Sequence, residues 1–266
     1  VSLDFAAPAG LKAFTQAWPL HALTDPQGHR WGFRDNRRDA PPLVLLPGAL
    51  GNGDVAWRIA QALDAEARVL TVHYPSGLEP DVLADGLLAL IDHLALGPVA
   101  LWGSSYGAWW AQAFARRHPG ALRALWLGNT FVDGADVAAS PLFSPDWLTG
   151  ASGDDVVARW RDGTLARPDS ELRQLQLHML QHGLPAEDFR QRLLKVALST
   201  PLPTAPTPTK TVLCDCEDDA IITPAVRERV RQRYPHAHRV VLSAGGHYPH
   251  VQQIDALLPH LRSWLA

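Results

Sequence analysis

Four segments of the chain carry residue types that could together perform acyl transfer. The first is Gly103-Ser104-Ser105-Tyr106-Gly107, which follows the apolar run Val99-Ala100-Leu101-Trp102 and precedes a stretch rich in Ala and Trp. A serine with glycine two residues before and two after it, set between a strand and a helix, is the pattern of a nucleophile elbow. The spacing has a steric reason: a strand turning sharply into a helix brings those two positions together, so their side chains must be absent or tiny. Such a turn projects the Ser105 hydroxyl at a helix N-terminus, where free N–H groups and the helix dipole favour developing negative charge. Ser104 reads as structural.

A serine hydroxyl is a weak nucleophile, so it needs an imidazole base and a carboxylate to orient that base. Of twelve histidines, only His247 sits in a Gly-rich turn, Ala244-Gly245-Gly246-His247-Tyr248-Pro249-His250, between the last strand-like run and the last helical one. The acid is expected just after the preceding strand, where Asp215-Cys216-Glu217-Asp218-Asp219 offers four acids in five residues. Asp219 ranks first, Asp218 second, and Asp133, after the fourth parallel strand, third. The order Ser105, Asp219, His247 is the chain order of triads built on such an elbow. The fourth segment, Leu46-Pro47-Gly48-Ala49-Leu50-Gly51, would complete the site. Its small residues let backbone approach a substrate oxygen, and the Ala49 and Tyr106 N–H groups would form an oxyanion hole. Taken singly, each segment also reads as a Gly-rich turn or a solvated acidic loop; the elbow and the shared order favour the chemical reading.

Other chemistry is less well supported. His178 and His182 share a helix face but lack a third ligand, so no metal is expected. Gly48 to Gly53 lacks the Lys-Ser/Thr that would grip phosphate and magnesium. Ser–His–Asp chemistry needs no cofactor.

The elements that must position these residues are legible in the hydrophobic pattern. Runs such as Leu43 to Leu46, Val69 to Val72, Val99 to Trp102, Leu122 to Leu127 and Thr211 to Cys214 suit parallel strands buried on both faces. Helical periodicity lies between them at Asp81 to Leu94 and Tyr106 to His118, which implies βαβ crossovers with helices on both faces of the sheet. Before residue 40, Phe14 to Leu23 and His29 to Phe33 flank the turn-prone Asp25-Pro26-Gln27-Gly28, predicting an antiparallel hairpin at the sheet edge. From Asp133 to Pro208 the strand signal stops and three helical stretches appear: Asp154 to Trp160, Ser170 to His182 and Pro185 to Leu198. This predicts a helical lid over 133–208, ending in the Pro-rich linker Thr200 to Pro208, on a core of 1–132 and 209–266. Trp147, Trp160, Leu175, Met179 and Leu180 give that insertion its apolar surface, which at helical spacing packs the lid's own core more often than a ligand. The last third resumes with a helix from Pro224 to Arg233, the alternating strand Arg239 to Leu242, and a helix from Val251 to Leu265.

Composition bounds the function classes. The chain has 266 residues, 47% hydrophobic and 19% charged, which excludes a disordered or fibrous protein. A net charge of −3 supplies no cationic field for nucleic acid. No run of ~18 apolar residues is present to span a bilayer, and Val1-Ser2-Leu3-Asp4-Phe5 lacks the order of a secretory signal, so a cytoplasmic protein is expected. Cys214 and Cys216, the two cysteines, alternate across a strand and cannot readily bridge each other.

With these motifs the chain resembles the α/β-hydrolase superfamily over essentially its whole length. It departs at Pro47, where many members carry a histidine, although the donor there is backbone. More narrowly it is similar to the maspardin family, through Trp18-Pro19-Leu20, Leu43 to Gly51, His73-Tyr74-Pro75, Leu90 to Leu94, Gly103 to Gly107, Gly128-Asn129-Thr130-Phe131, Tyr234-Pro235 and Gly245-Gly246. The superfamily resemblance implies a serine hydrolase acting on a small-molecule acyl substrate. The narrower one implies an alternative, a non-catalytic protein that binds a protein partner. It also favours Asp218 as the acid, whereas the superfamily's G-x-x-D spacing, with Cys216 in the glycine position, favours Asp219.

Overall fold

The computed structural model describes residues 4–204 and 210–266. Helix α1 (Ala9–Ala17) leads into the hairpin β1 (His21–Thr24) and β2 (Arg30–Asp35). There follow β3 (Pro42–Leu46), α2 (Trp57–Ala62), β4 (Arg68–His73), α3 (Pro80–His93), β5 (Val99–Ser104), α4 (Tyr106–Arg117) and β6 (Leu122–Gly128). Among the described residues four α-helices separate β6 from the next strand: α5 (Pro145–Gly150), α6 (Gly153–Leu165), α7 (Glu171–His178) and α8 (Ala186–Ala197). The chain closes with β7 (Thr211–Cys216), α9 (Pro224–Arg233), β8 (His238–Leu242), α10 (Pro249–Gln252) and α11 (Ile254–Leu265).

Among the described residues, eight strands form one sheet in the order β1-β2-β4-β3-β5-β6-β7-β8. The first two pairings, β1 with β2 and β2 with β4, are antiparallel, and the rest are parallel. Every residue of β5 and β7 is buried, whereas β1 at one edge and β8 at the other alternate or lie partly exposed. Central strands covered on both faces need continuous apolar runs, and edge strands do not. From β3 the chain moves to β4 on one side and then crosses to β5 on the other. Right-handed crossovers therefore send α2 and α3 to opposite faces and open a crevice at the carboxyl ends of β3 and β5.

The hairpin forms as the turn residues predict, but Phe14 lies in α1, where it and Leu11 are buried one turn apart. Three helices escape the periodicity reading, α1, α2 and α5, and the latter two are six residues each, too short for a repeat. The second predicted stretch of the insertion divides into α7 and a wider π turn at Met179–Gly183. The C-terminal helix breaks at Gln253, whose non-helical φ of −135° and ψ of 40° separate α10 from α11. Thr200 to Thr204 has no regular structure, and the remainder of the expected linker lies outside the described residues. Cys214 and Cys216 are both buried and free.

Candidate active site

Ser105 joins β5 to α4 with φ 52° and ψ −119°, a left-handed conformation that costs a non-glycine residue of order 1–3 kcal/mol. Close contacts on both sides of the turn hold it there. A Cβ on Gly103 would sit 2.6 Å from Ala108 Cα, and one on Gly107 would sit 2.3 Å from the Pro47 carbonyl oxygen. The two glycines thus serve different approaches: Gly103 lets the helix close on its own strand, and Gly107 lets the helix meet the end of β3. The Ser105 N–H donates to Gly128 O at 2.8 Å, tying the elbow to β6. Behind it, Tyr106, Trp109 and Phe131 stack at 5.8 and 6.0 Å, and the Trp109 indole donates to Val132 O at 3.0 Å.

The loop after β3 runs directly beside the serine. A Cβ on Gly48 would lie 3.3 Å from Ser105 Cβ and 3.8 Å from Oγ, so the missing side chain leaves the space next to the hydroxyl open. As the first residue of α4, Tyr106 has an N–H without an intrahelical acceptor. Gly48, Ala49, Ser105 and His247 line the same cavity.

His247 and Asp219 meet on its wall, with Nδ1 2.8 Å from Oδ2. A carboxylate only accepts, so the ring proton belongs on Nδ1 and Nε2 keeps its lone pair. The Asp219 side chain is fully buried, and its other oxygen accepts from the Ile221 and Ile222 N–H groups at 2.8 and 3.0 Å. Burial alone would raise the pKa of this carboxyl. Attraction to the His247 ring in its protonated form and hydrogen bonds from His247, Asn129 and Ile222 outweigh it and hold the group well below the usual carboxylate range.

The other two acids are engaged elsewhere. Asp218 accepts from the Gly245 and Gly246 N–H groups at 3.1 and 2.8 Å, so it braces the backbone of the His247 turn. Asp133 pairs with Arg229 at 2.8 Å and caps the short turn at Gly134–Asp136. His178 and His182 face the N-terminal segment, through Phe5 O at 2.9 Å and Asp4 Oδ1 at 3.2 Å.

Two supporting residues carried no local signal of such a role. Asn129, buried at the end of β6 with φ 46°, donates from Nδ2 to Asp219 Oδ2 at 2.8 Å and to Gly246 O at 3.1 Å. Asparagine is enriched in this backbone region, and that is the only hint the residue type offers. Arg227 of α9 is buried and donates to the carbonyls of Cys216 and Ile222 at 2.5 and 3.4 Å, bracketing the loop that presents Asp219.

The cavity holds about 500 Å³. Its floor comes from the carboxyl ends of the strands, and Val137, Leu142, Phe143, Trp160, Leu193 and Val196 from the segment between β6 and β7 give it apolar walls. Of the five residues expected to supply apolar surface, Trp160 alone reaches the cavity. Leu175, Met179 and Leu180 are buried in the packing of the helices. Among the described residues no group of three or more side chains could hold a metal ion, and no helix is long and apolar enough to cross a membrane.

Comparison with known proteins agrees with this architecture. The chain is 27% identical to maspardin of Homo sapiens over 217 residues, covering 79% of this chain and 70% of that protein. It is similar in structure to a thermophilic esterase from Thermogutta terrifontis, with a TM-score of 0.75 at 22% identity, covering 93% of this chain and 98% of the esterase. An esterase from Exiguobacterium antarcticum superposes with the same TM-score of 0.75 at 16% identity, covering 92% and 98% of the two chains. At these identities the structural likeness speaks to the fold. The family model for the alpha/beta hydrolase family matches residues 43–259, from the first parallel strand into the middle of the last helix, and the chain therefore belongs to that family.

Proposed function

We propose that this protein is a serine hydrolase that cleaves an ester, thioester or related acyl bond through an acyl-enzyme. The observation that carries the reading is the 2.8 Å contact between His247 Nδ1 and buried Asp219, on the wall of a cavity that also contains Ser105. In this reading 1–132 and 209–266 form the catalytic core and 133–208 the lid.

Ser105 Oγ attacks the acyl carbon while His247 Nε2 takes its proton, and Asp219 stabilises the resulting imidazolium. The carbonyl oxygen becomes an oxyanion facing the Ala49 and Tyr106 N–H groups. Collapse breaks the bond to the leaving alcohol or thiol, which departs with the proton from His247 and leaves the acyl group on Ser105. Water then attacks that ester with His247 again as base, the acid product leaves, and the serine hydroxyl is restored. The apolar walls suit a small or medium hydrocarbon acyl group.

Incubation with a fluorophosphonate, followed by peptide mapping, tests the proposal: the adduct is expected on Ser105. Similarity to maspardin supports a second reading, a hydrolase fold used to bind a protein partner. A folded protein that is neither labelled nor active on activated esters would favour that reading over the first.

A further inference from the structure

Arg192 of α8 is 1% exposed, yet none of its acceptors is a carboxylate. Its guanidinium donates to Gly51 O at 2.7 Å, to Tyr74 O at 2.6 Å and to Ser76 Oγ at 2.9 Å, and lies 4.0 Å from the centroid of the Tyr74 ring. A buried cation is costly unless its hydrogen bonds are met, and here carbonyl dipoles and an aromatic face meet them. Tyr74, itself buried, directs its hydroxyl to Pro47 O and Gly48 O, both at 2.9 Å. Burial raises the Tyr74 phenol above its ordinary value and the Arg192 charge only partly opposes this, so the hydroxyl keeps its proton and remains a donor.

The Gly48 carbonyl and the Ala49 N–H are opposite edges of one planar trans peptide, so a bond that holds the oxygen also aims the N–H. We propose that Tyr74 and Arg192 are positioning residues that orient the Ala49 N–H, so that α8 helps to set the oxyanion donor as well as to wall the cavity. The proposal rests on the acyl-transfer reading for its catalytic consequence, and on geometry alone for the orientation. Further contacts run the same way. Asn52 Nδ2 donates to Gly183 O at 3.0 Å, and a Cβ on Gly51 would meet Met179 Sδ at 2.9 Å, so the π turn also packs on this loop. A hydrogen bond accepted by a peptide carbonyl also polarises the N–H of that peptide, strengthening it as a donor.

The test uses Tyr74→Phe, which keeps the ring under Arg192 and removes only the hydroxyl, together with Arg192→Met and Arg192→Lys. Three readouts are taken: the Ala49 amide resonance by 15N NMR, the rate of fluorophosphonate inactivation, and kcat and KM on p-nitrophenyl acetate per labelled site. Tyr74→Phe is expected to move the Ala49 resonance, to slow inactivation, and to lower kcat about 10-fold with KM within about twofold, a fraction of the loss from deleting an oxyanion donor outright. Arg192→Met should act in the same direction. Arg192→Lys should restore part of the loss, since an ammonium keeps the charge but not the planar fork. An Ala49 resonance and a per-site kcat that do not change in Tyr74→Phe overturn the proposal. A merely structural role would lower the melting temperature and the number of labelled sites while leaving kcat per site intact. A wild-type protein that is inactive and unlabelled overturns the acyl-transfer reading instead, and the Ala49 resonance still decides the orientation.

Discussion

Asp218 and Asp219, neighbours in sequence, hold the His247 turn at different points. Asp219 accepts from the imidazole ring at 2.8 Å, and Asp218 accepts from the backbone N–H groups of Gly245 and Gly246 two residues and one residue before it. The first contact acts on tautomer and ring orientation, the second on where the turn lies.

This division predicts the ranking of three substitutions. Asp219→Asn should lower kcat on an activated ester by about 10³-fold or more, because the amide can stabilise the wrong imidazole tautomer. Asp218→Asn should cost about 10-fold through a loosened turn, and Asp133→Asn less than about twofold, since Asp133 answers to Arg229. Steady-state kinetics on the three purified variants checks the order. A larger loss in Asp218→Asn than in Asp219→Asn would transfer the acid role to Asp218.

Ser105→Ala should abolish ester hydrolysis by a factor on the order of 10³ or more, because members of such a constellation act as a unit. Stability should change little, since alanine and serine bear the φ of 52° at similar cost. Thermal melting beside the activity assay separates the two effects, and turnover equal to wild type would end the catalytic assignment.

Asn129 joins a backbone role to a hydrogen-bonding one, and two substitutions separate them. Asn129→Gly tolerates the φ of 46° but loses the donor to Asp219 and Gly246. Asn129→Ala loses the donor and strains the backbone as well. Both should lower kcat by a similar factor, about 10-fold, and the alanine variant should also melt at a lower temperature. Equal kcat in Asn129→Gly and wild type would reduce Asn129 to a backbone role.

His250 predicts an acid-side dependence of stability. Its ring is buried against Trp102 with Nδ1 unpartnered, and burial, aided by the charge of nearby His247, lowers its pKa from 6.5 to about 3. Below pH 6.5 the unfolded chain therefore binds a proton at this site that the folded chain refuses, so stability falls as pH drops towards 3. The slope approaches about 1.4 kcal/mol per pH unit. Asp219, depressed in the fold, adds to the loss in the same direction, but only below its unfolded value of about 3.9. Urea titrations between pH 6.5 and 4 should show a steeper decline for wild type than for His250→Phe, which keeps the aromatic contact with Trp102. Parallel curves would mean that His250 titrates normally.

Much of the scaffold was readable from local pattern, because local physics dictates it. The Gly103–Gly107 spacing predicted the elbow, and Pro224 to Arg233 has the same limits as α9, which starts on a proline capped by Thr223. The five buried runs became β3 to β7 because a strand covered on both faces needs apolar residues without alternation. Short helices left no such mark, since six residues hold less than two turns of a repeat.

The sequence by itself determined which residue types could act and the order in which strands deliver them: Ser105 after β5, an acid after β7, His247 after β8. Only the tertiary structure decided which acid meets the imidazole, because adjacent carboxylates differ in direction, and that direction depends on how α9 and Arg227 fold the loop after β7. The same holds for Asn129, which reaches Asp219 across 90 positions, and for Arg192, which reaches Gly51 across 141. Turn chemistry and periodicity act over a few residues, whereas hydrogen bonds between distant segments exist only once the sheet and the helices between β6 and β7 have packed.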